Sequence, residues 1–288
     1  MNPFPERHPY HHKPLRVAIG IAARGVMAAL NALIPEPEFE ASRVQITRLR
    51  VPLRGLDAAF DGYRIVQISD LHMGTWMNAS RLAQFVRMVN DLAPDLVAIT
   101  GDFVSYDGGN LLREMVPPLS ELAPREATLA VLGNHDHWSG PEGVRAALAE
   151  SGVREIGNRV YTVRRGEAAL HIAGVDSFSS GADCLERVLS RLPPGPAILL
   201  AHEPDFADQA AAAERFGLQL SGHSHGGQIV VPRFGPLFLP PYGRKYPAGR
   251  YHVNGMVQYT NRGLGTGFLR LRYHCPPEIT VVELAPRL

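Results

Sequence analysis

Short apolar runs rich in β-branched residues alternate with stretches of helical spacing along most of the chain. "YRIVQISD" reads as a buried strand ending at Asp70, "DLVAITGD" as a second ending at Asp102, and "TLAVLGNHD" as a third ending at Asn134. Between the first two, "ASRLAQFVRMVNDLAP" sets Leu82, Phe85, Val86, Val89 and Leu92 on one helical face and stops before Pro94. Two later runs, "AILLAHEP" and "LQLSGHSHGG", read as strands that end at His202 and at the pair His223 and His225. Strand, helix, strand in this rhythm predicts a parallel α/β core.

The N-terminal pattern differs. A basic, His- and Pro-rich start leads into "VAIGIAARGVMAALNALI", 18 residues whose charge is confined to Arg24. A membrane span needs about 20 apolar residues, and an Arg at its centre costs about 2.5 to 3.5 kcal/mol. At 100° per residue Lys13, Arg16, Gly20, Arg24 and Asn31 share one stripe, and the remaining face is apolar. Three readings fit: an interfacial membrane helix, a signal segment without a clean A-x-A cleavage site, or an amphipathic helix docked on the domain. "PEPEFE" then breaks the helix at Pro35. The chain therefore divides into a leader and linker over 1–44 and one globular domain over 45–288.

Composition narrows the classes. With 288 residues, 45% hydrophobic and 20% charged, the chain can bury a full core. A net charge of +1, from 29 basic and 28 acidic residues, gives no global field for nucleic acid, which is not expected as a partner. Cys184 and Cys275 are isolated, so neither a disulfide framework nor a zinc knuckle is indicated.

Chemistry gathers where the strands end. The first three strands supply "DLH" with Asp70 and His72, "GD" with Asp102, and "GNHD" with Asn134, His135 and Asp136. The later two supply His202 and "GHSHGG". Ligands of α/β sheets collect at the carboxyl ends of strands, so five strand ends deliver metal-capable side chains to one rim. A carboxylate at a strand end also caps helices, and "GNHD" alone is also a turn; five together are hard to assign to capping. In extended chain, His223 and His225 would leave the backbone side by side. Such a pair binds one metal, binds two, or simply packs.

In its ordered elements, D-x-H, G-D, G-N-H-[DE], H and G-H-x-H, the chain resembles the calcineurin-like metallophosphoesterases. "GHSHGGQIVVP", "YTNRGLGTG" and "CPPEITVVEL" are similar to its membrane-associated YkuE/YaeI-type branch. The resemblance implies a four-layer α/β/β/α sandwich. It implies one metal on Asp70, His72, Asp102 and His225, and a second on Asp102, Asn134, His202 and His223, with Asp102 as bridge. Imidazole, carboxylate and amide ligands suit Mn, Fe, Zn or Co. Two divalent ions about 3.5 to 4 Å apart activate a water and clamp a phosphoryl centre. His135, outside the metal shell in the family, becomes the candidate for protonating the leaving oxygen or stabilising the developing charge, and Asp136 either orients it or fixes the turn.

The substrate is less constrained. "VPRFGPLFLPPYGRKYPAGRY" places Phe234, Leu237, Phe238 and Leu239 near Arg233, Arg244 and Lys245, apolar and cationic groups that suit acyl chains and phosphate headgroups or that pack over the sheet edge. The leading expectation is a membrane-surface phosphodiesterase or pyrophosphatase acting on a lipid-linked substrate such as UDP-2,3-diacylglucosamine, in lipid A assembly. It would sit peripherally on a bacterial inner membrane. The alternatives are a soluble, cytoplasmic phosphatase or cyclic-nucleotide phosphodiesterase, and a metal-dependent scaffold without turnover.

Overall fold

The computed structural model of the chain describes residues 40, 43–105, 109–267 and 269–287. The segment expected from the sequence to form a leader helix, and most of the linker after it, lie outside the described residues.

Two six-stranded sheets face each other. The first has the order β1 (Gln45–Arg54), β14 (Glu278–Arg287), β2 (Arg64–Ile68), β3 (Leu96–Thr100), β4 (Ala127–Val131), β5 (Arg154–Glu155). The second runs β12 (Gly249–Val253), β13 (Met256–Thr260), β9 (Leu218–Ser221), β8 (Ala197–Leu200), β7 (Ala168–Gly174), β6 (Arg159–Arg165). A separate two-stranded ribbon pairs β10 (Val230–Val231) with β11 (Gly235–Pro236). β2 to β5 are parallel, as are β7, β8, β9 and β13. Antiparallel pairs join β14 to β2, β12 to β13 and β6 to β7.

The two-residue period of the strands builds the layers. Leu96 and Ala98 of β3, with Ile198 and Leu200 of β8, point between the sheets into one core. Val97 and Ile99 point outward against the helix α1 (Ala79–Asp91), which contributes Leu82, Phe85, Val86 and Val89. On the far side, Ala197 and Leu199 pack with Phe206 and with Ala207, Ala210 and Ala211 of a short helix. Helix, sheet, sheet, helix is the four-layer sandwich expected. Strands apolar on both faces need cover on both faces, and each fully buried Leu or Ile stabilises this arrangement by about 1.5–3 kcal/mol.

α1 begins where the Asn78 side chain accepts from the Arg81 amide at 2.9 Å. It ends beside Ala93, whose φ is 48°, just before Pro94. The predicted helix therefore has a defined stop at each end. The parallel core is divided, however: three of the five chemistry-bearing strand ends belong to the first sheet and two to the second. Apolar runs buried on both faces look alike in one sheet and in two, so the pattern could not separate them.

Candidate metal centre

β2, β3 and β4 each release their chain into a loop at the same edge of the first sheet. The loops after β2 and β3 are zipped together: the amides of Asp70, His72 and Met73 donate to the carbonyls of Gly101, Asp102 and Phe103 at 2.9, 3.0 and 2.9 Å. From the second sheet, the Gly222 amide donates to the His202 carbonyl at 3.0 Å, and the His223 amide reaches the Asp70 carboxylate oxygens at 3.0 and 3.1 Å. Asp70, His72, Asp102, His223 and His225 all adopt positive φ, between 50° and 69°. Left-handed backbone at five non-glycine positions marks loops held in place by their surroundings. Close approach also explains two glycines: a Cβ on Gly133 would overlap Asp102 and His202, and one on Gly222 would overlap Ser69 and Asp70.

The side chains form three groups whose donor atoms lie within 4.8 Å of one another: Asp70, His72 and His225; Asp102, His202 and His223; and His72, Asp102 and His135. Within them His225 Nε2 is 3.4 Å from Asp70 Oδ1, His72 Nε2 is 2.9 Å from His225 Nε2, and His202 Nε2 is 3.2 Å from Asp102 Oδ2. Ligands bound about 2.0–2.2 Å from one ion sit roughly 3 to 4 Å apart, so these spacings fit. His223 and His225 fall in different groups. They do so because β9 ends at Ser221 and the chain then turns, His223 at φ 69° and His225 at 54°; the extended geometry expected from the sequence does not exist there.

The outer nitrogens are fixed by oxygens. His202 Nδ1 meets the Thr100 carbonyl at 2.6 Å, His223 Nε2 meets the Pro241 carbonyl at 2.8 Å, and His135 Nδ1 meets the Ser105 carbonyl at 2.7 Å. His72 Nδ1 is 3.0 Å from Ser105 Oγ. Each ring is thereby oriented with its other nitrogen turned to the cluster, the arrangement that metal-binding histidines require. Asn134 Oδ1 is buried without a hydrogen-bond partner among the described residues. A buried amide oxygen left unpaired costs free energy that a cation would recover.

Electrostatics agree. Burial, joined by the neighbouring Asp102 charge, pushes the Asp70 carboxyl up to about 7 against the pull of His202. Burial drives the His72 imidazole down to about 3, and those of His223 and His225 in the same direction. Burial works against ionisation of Asp102 too, yet His202, His135 and His72 hold it well below the usual carboxylate range. The lowered imidazoles of His72, His223 and His225 and the ionised Asp102 are what a dication binds. His202 runs the other way, held well above the usual imidazole range, against its burial, by Asp102 and Asp70, so a metal there would displace its proton.

Asp136 sits apart from this chemistry. Its carboxylate accepts from the amides of Asp102, Phe103 and Gly133 at 2.9, 2.8 and 2.9 Å and from Val104 at 3.3 Å. These four bonds are what a turn-fixing role requires. Removing the carboxylate strands several buried amides, so Asp136→Ala should cost about 3 kcal/mol or more of stability. Urea denaturation of the metal-free protein measures it; an unchanged midpoint would show that the amides find other partners.

The three cations nominated as substrate contacts separate. Arg233 is exposed at the turn between β10 and β11. Lys245 Nζ pairs with both oxygens of Asp208 at 2.7 Å, and the Arg244 and Lys245 amides bind the Asp205 carboxylate. Lys245 is thus paired with the short helix Ala207–Ala212.

Sequence reasoning missed Ser105, which touches both His72 and His135, and Arg272. The Arg272 guanidinium donates to the carbonyls of Arg262, Gly263 and Gly265, at 2.9, 3.1 and 2.6 Å through Nη2. It clamps the "NRGLGTG" loop, whose Leu264 and Gly265 amides bind the carbonyls of Ser69 and Asp70. The loop's glycines carried a signal; the arginine that holds them carried none.

The chain is 34% identical over 275 residues to the uncharacterized metallophosphoesterase YkuE of Bacillus subtilis, covering 94% of this chain and 96% of that one. It is 30% identical over 233 residues to the phosphodiesterase YaeI of Escherichia coli, covering 77% and 82%. A transmembrane protein with metallophosphoesterase domain from Danio rerio is 30% identical over 254 residues, 83% of this chain and 57% of that one. Among the described residues of this chain, no helix is long and apolar enough to cross a membrane. Residues 63–227 match the calcineurin-like phosphoesterase family, and the chain belongs to that family of metal-dependent phosphoesterases.

Proposed function

We propose that the chain is a phosphodiesterase or pyrophosphatase with two divalent ions, working at a membrane surface on a lipid-linked phosphoester. Asp70, His72 and His225 would hold one ion, and Asn134, His202 and His223 the other, with Asp102 shared. The ions, when bound, supply Lewis acidity and an activated water for attack on phosphorus. The protein's own part is to orient those ligands and to deliver a proton. His135 is the group for that proton. Its Nδ1 is committed to the Ser105 carbonyl, and its ring lies edge-on to His72 with centroids 4.8 Å apart and packs on Trp138 at 4.5 Å. As general acid it acts in the cationic form, with Nε2–H directed at the leaving oxygen.

The observation that carries the surface reading is the rim. The 3-10 turn that begins at His225 runs directly into β10 and β11, where Phe234 and Leu237 stand exposed. Apolar groups beside a phosphoesterase centre suit a substrate with an acyl portion, of which UDP-2,3-diacylglucosamine is the type. The leader, as an interfacial helix, would add peripheral contact. The test is turnover by the Mn²⁺-supplemented protein of bis-p-nitrophenyl phosphate, a nucleoside diphosphate-sugar and an acylated UDP-glucosamine. The acylated substrate should give the highest kcat/KM. Preference for the unacylated nucleotide, or for a monoester or cyclic nucleotide added to the panel, would replace this reading with the soluble one.

A further inference from the structure

Although the whole chain is nearly neutral, its charges are not evenly spread. Residues 215–277 contain no Asp or Glu, and they contain eight Lys or Arg: Arg215, Arg233, Arg244, Lys245, Arg250, Arg262, Arg270 and Arg272. This stretch begins before the His223/His225 turn and ends at Glu278 in β14. In space Asp205 and Asp208 meet Arg244 and Lys245, and Glu278 meets Arg262, which leaves the segment 228–238 as the part without a carboxylate of its own.

The exposed apolar side chains concentrate in the same region. β10 pairs antiparallel with β11, and on the other flank the Val230 amide donates to the Tyr273 carbonyl at 2.9 Å while the Tyr273 amide donates to the Gln228 carbonyl at 3.0 Å. The result is a small flap over 228–238 and 271–273, a two-stranded ribbon bridged to the chain at Tyr273. Among the described residues eight large hydrophobics are exposed, and five are on this flap: Phe234 at 88%, Leu237 at 67%, Phe238 at 56%, Tyr273 at 47% and Leu271 at 38%. Single exposed apolar residues are ordinary; five on one short flap mark a surface built for contact.

The flap is rooted in the site. The sulfur of Cys275 lies 3.1 Å from the His225 carbonyl, and the Gln228 side chain holds the Gly267 amide at 2.8 Å and the Leu269 and Leu271 carbonyls at 2.8 and 2.9 Å. Whatever the flap touches is therefore held beside the first ligand group.

The geometry points to this flap as the face that docks on an anionic lipid bilayer, inserting Phe234, Leu237 and Phe238 among the headgroups and acyl boundary. A bilayer is the partner that fits both features. Aromatic and aliphatic tips on a loop gain from entering the interface, and a flap that carries Arg233 at its turn and no Asp or Glu of its own is drawn to anionic headgroups. Nucleic acid would use the cations but leave the aliphatic tips in water. The inference deepens the membrane-surface reading above, on which it rests only for the substrate that docking would serve. It is separate from the leader, since it is carried by residues of the catalytic domain.

The experiment uses the full chain in metal-free form, so that binding is read apart from turnover. Vesicles are phosphatidylcholine alone, phosphatidylcholine mixed with the anionic phosphatidylglycerol, and the latter with acyl-brominated lipid. Phe234→Trp should show a blue-shifted emission and quenching by the brominated lipid relative to the parent, whose indoles are Trp76 and Trp138. Replacing Phe234, Leu237 and Phe238 together by serine should lower affinity for the anionic vesicles at least about tenfold, as burial of apolar tips predicts. The urea midpoint of that variant should match the parent's, because the three side chains are exposed, so that lost vesicle binding is told apart from lost folding. Absence of quenching, or undiminished affinity of the triple variant, would overturn the assignment. So would equal loss of binding to duplex DNA, which would make the flap a general polyanion surface. Failure of the acylated substrate in the panel above, with quenching intact, would instead remove the lipid substrate and leave the docking face standing.

Discussion

Asp102→Ala is expected to reduce diester turnover at saturating Mn²⁺ at least about 10³-fold, toward the rate of metal-stripped protein. Asp102 belongs to two of the three ligand groups and faces His202 at 3.2 Å and His72 at 3.5 Å. Its loss removes the one carboxylate common to both groups. His72→Ala should be milder in metal content, emptying mainly the Asp70 and His225 group. Alanine at 102 also removes the acceptor of the His135 amide, which binds Asp102 Oδ1 at 2.9 Å. Asp102→Asn preserves that acceptor and the side-chain shape while abolishing the charge. If Asp102→Asn loses as much turnover as Asp102→Ala, with its urea midpoint unchanged, the defect is in metal binding and not in folding. Near-parental turnover of Asp102→Asn would mean that neither ion depends on this carboxylate.

His135→Ala should retain metal and lose about 10²- to 10⁴-fold in kcat, and the loss should track the leaving group. A nitrophenolate departs without a proton, so its rate should fall least. A poor alkoxide should fall most, with a nucleotide leaving from a pyrophosphate between them. The structure adds a control. His135 is held by the Ser105 carbonyl, so Ser105→Ala, which keeps that carbonyl and removes only the Oγ beside His72, should leave the leaving-group dependence intact. Equal slowing of all three substrates would move His135 from acid to charge stabiliser. Loss of metal would make it a ligand, consistent with its place in a group with His72 and Asp102.

The parts of this site that were legible in the sequence are the parts that depend on side-chain identity. Asp70, His72, Asp102, Asn134, His202, His223 and His225 follow strand ends, and buried apolar runs announce where strands stop. The helix over 79–91 was legible for the same reason, its apolar face recurring at helical spacing and its end set by Pro94. What orients the ligands was not legible. Thr100, Ser105 and Pro241 act on His202, His135 and His223 through backbone carbonyls, which every residue has. A strand pattern predicts extended backbone at His223 and His225, because it does not reveal how closely Gly222 passes Ser69 and Asp70 as the chain turns. The acid-free stretch over 215–277 was plain in the sequence but hidden by the whole-chain charge, which averages it away.

A two-ion centre with Asp102 shared is a statement about stoichiometry, and metal content measures it most directly. Elemental analysis of the protein saturated with Mn²⁺ and freed of excess should give two ions per chain, with both occupancies reduced in Asp102→Asn. One ion per chain at saturation, unchanged in Asp102→Asn, would contradict it.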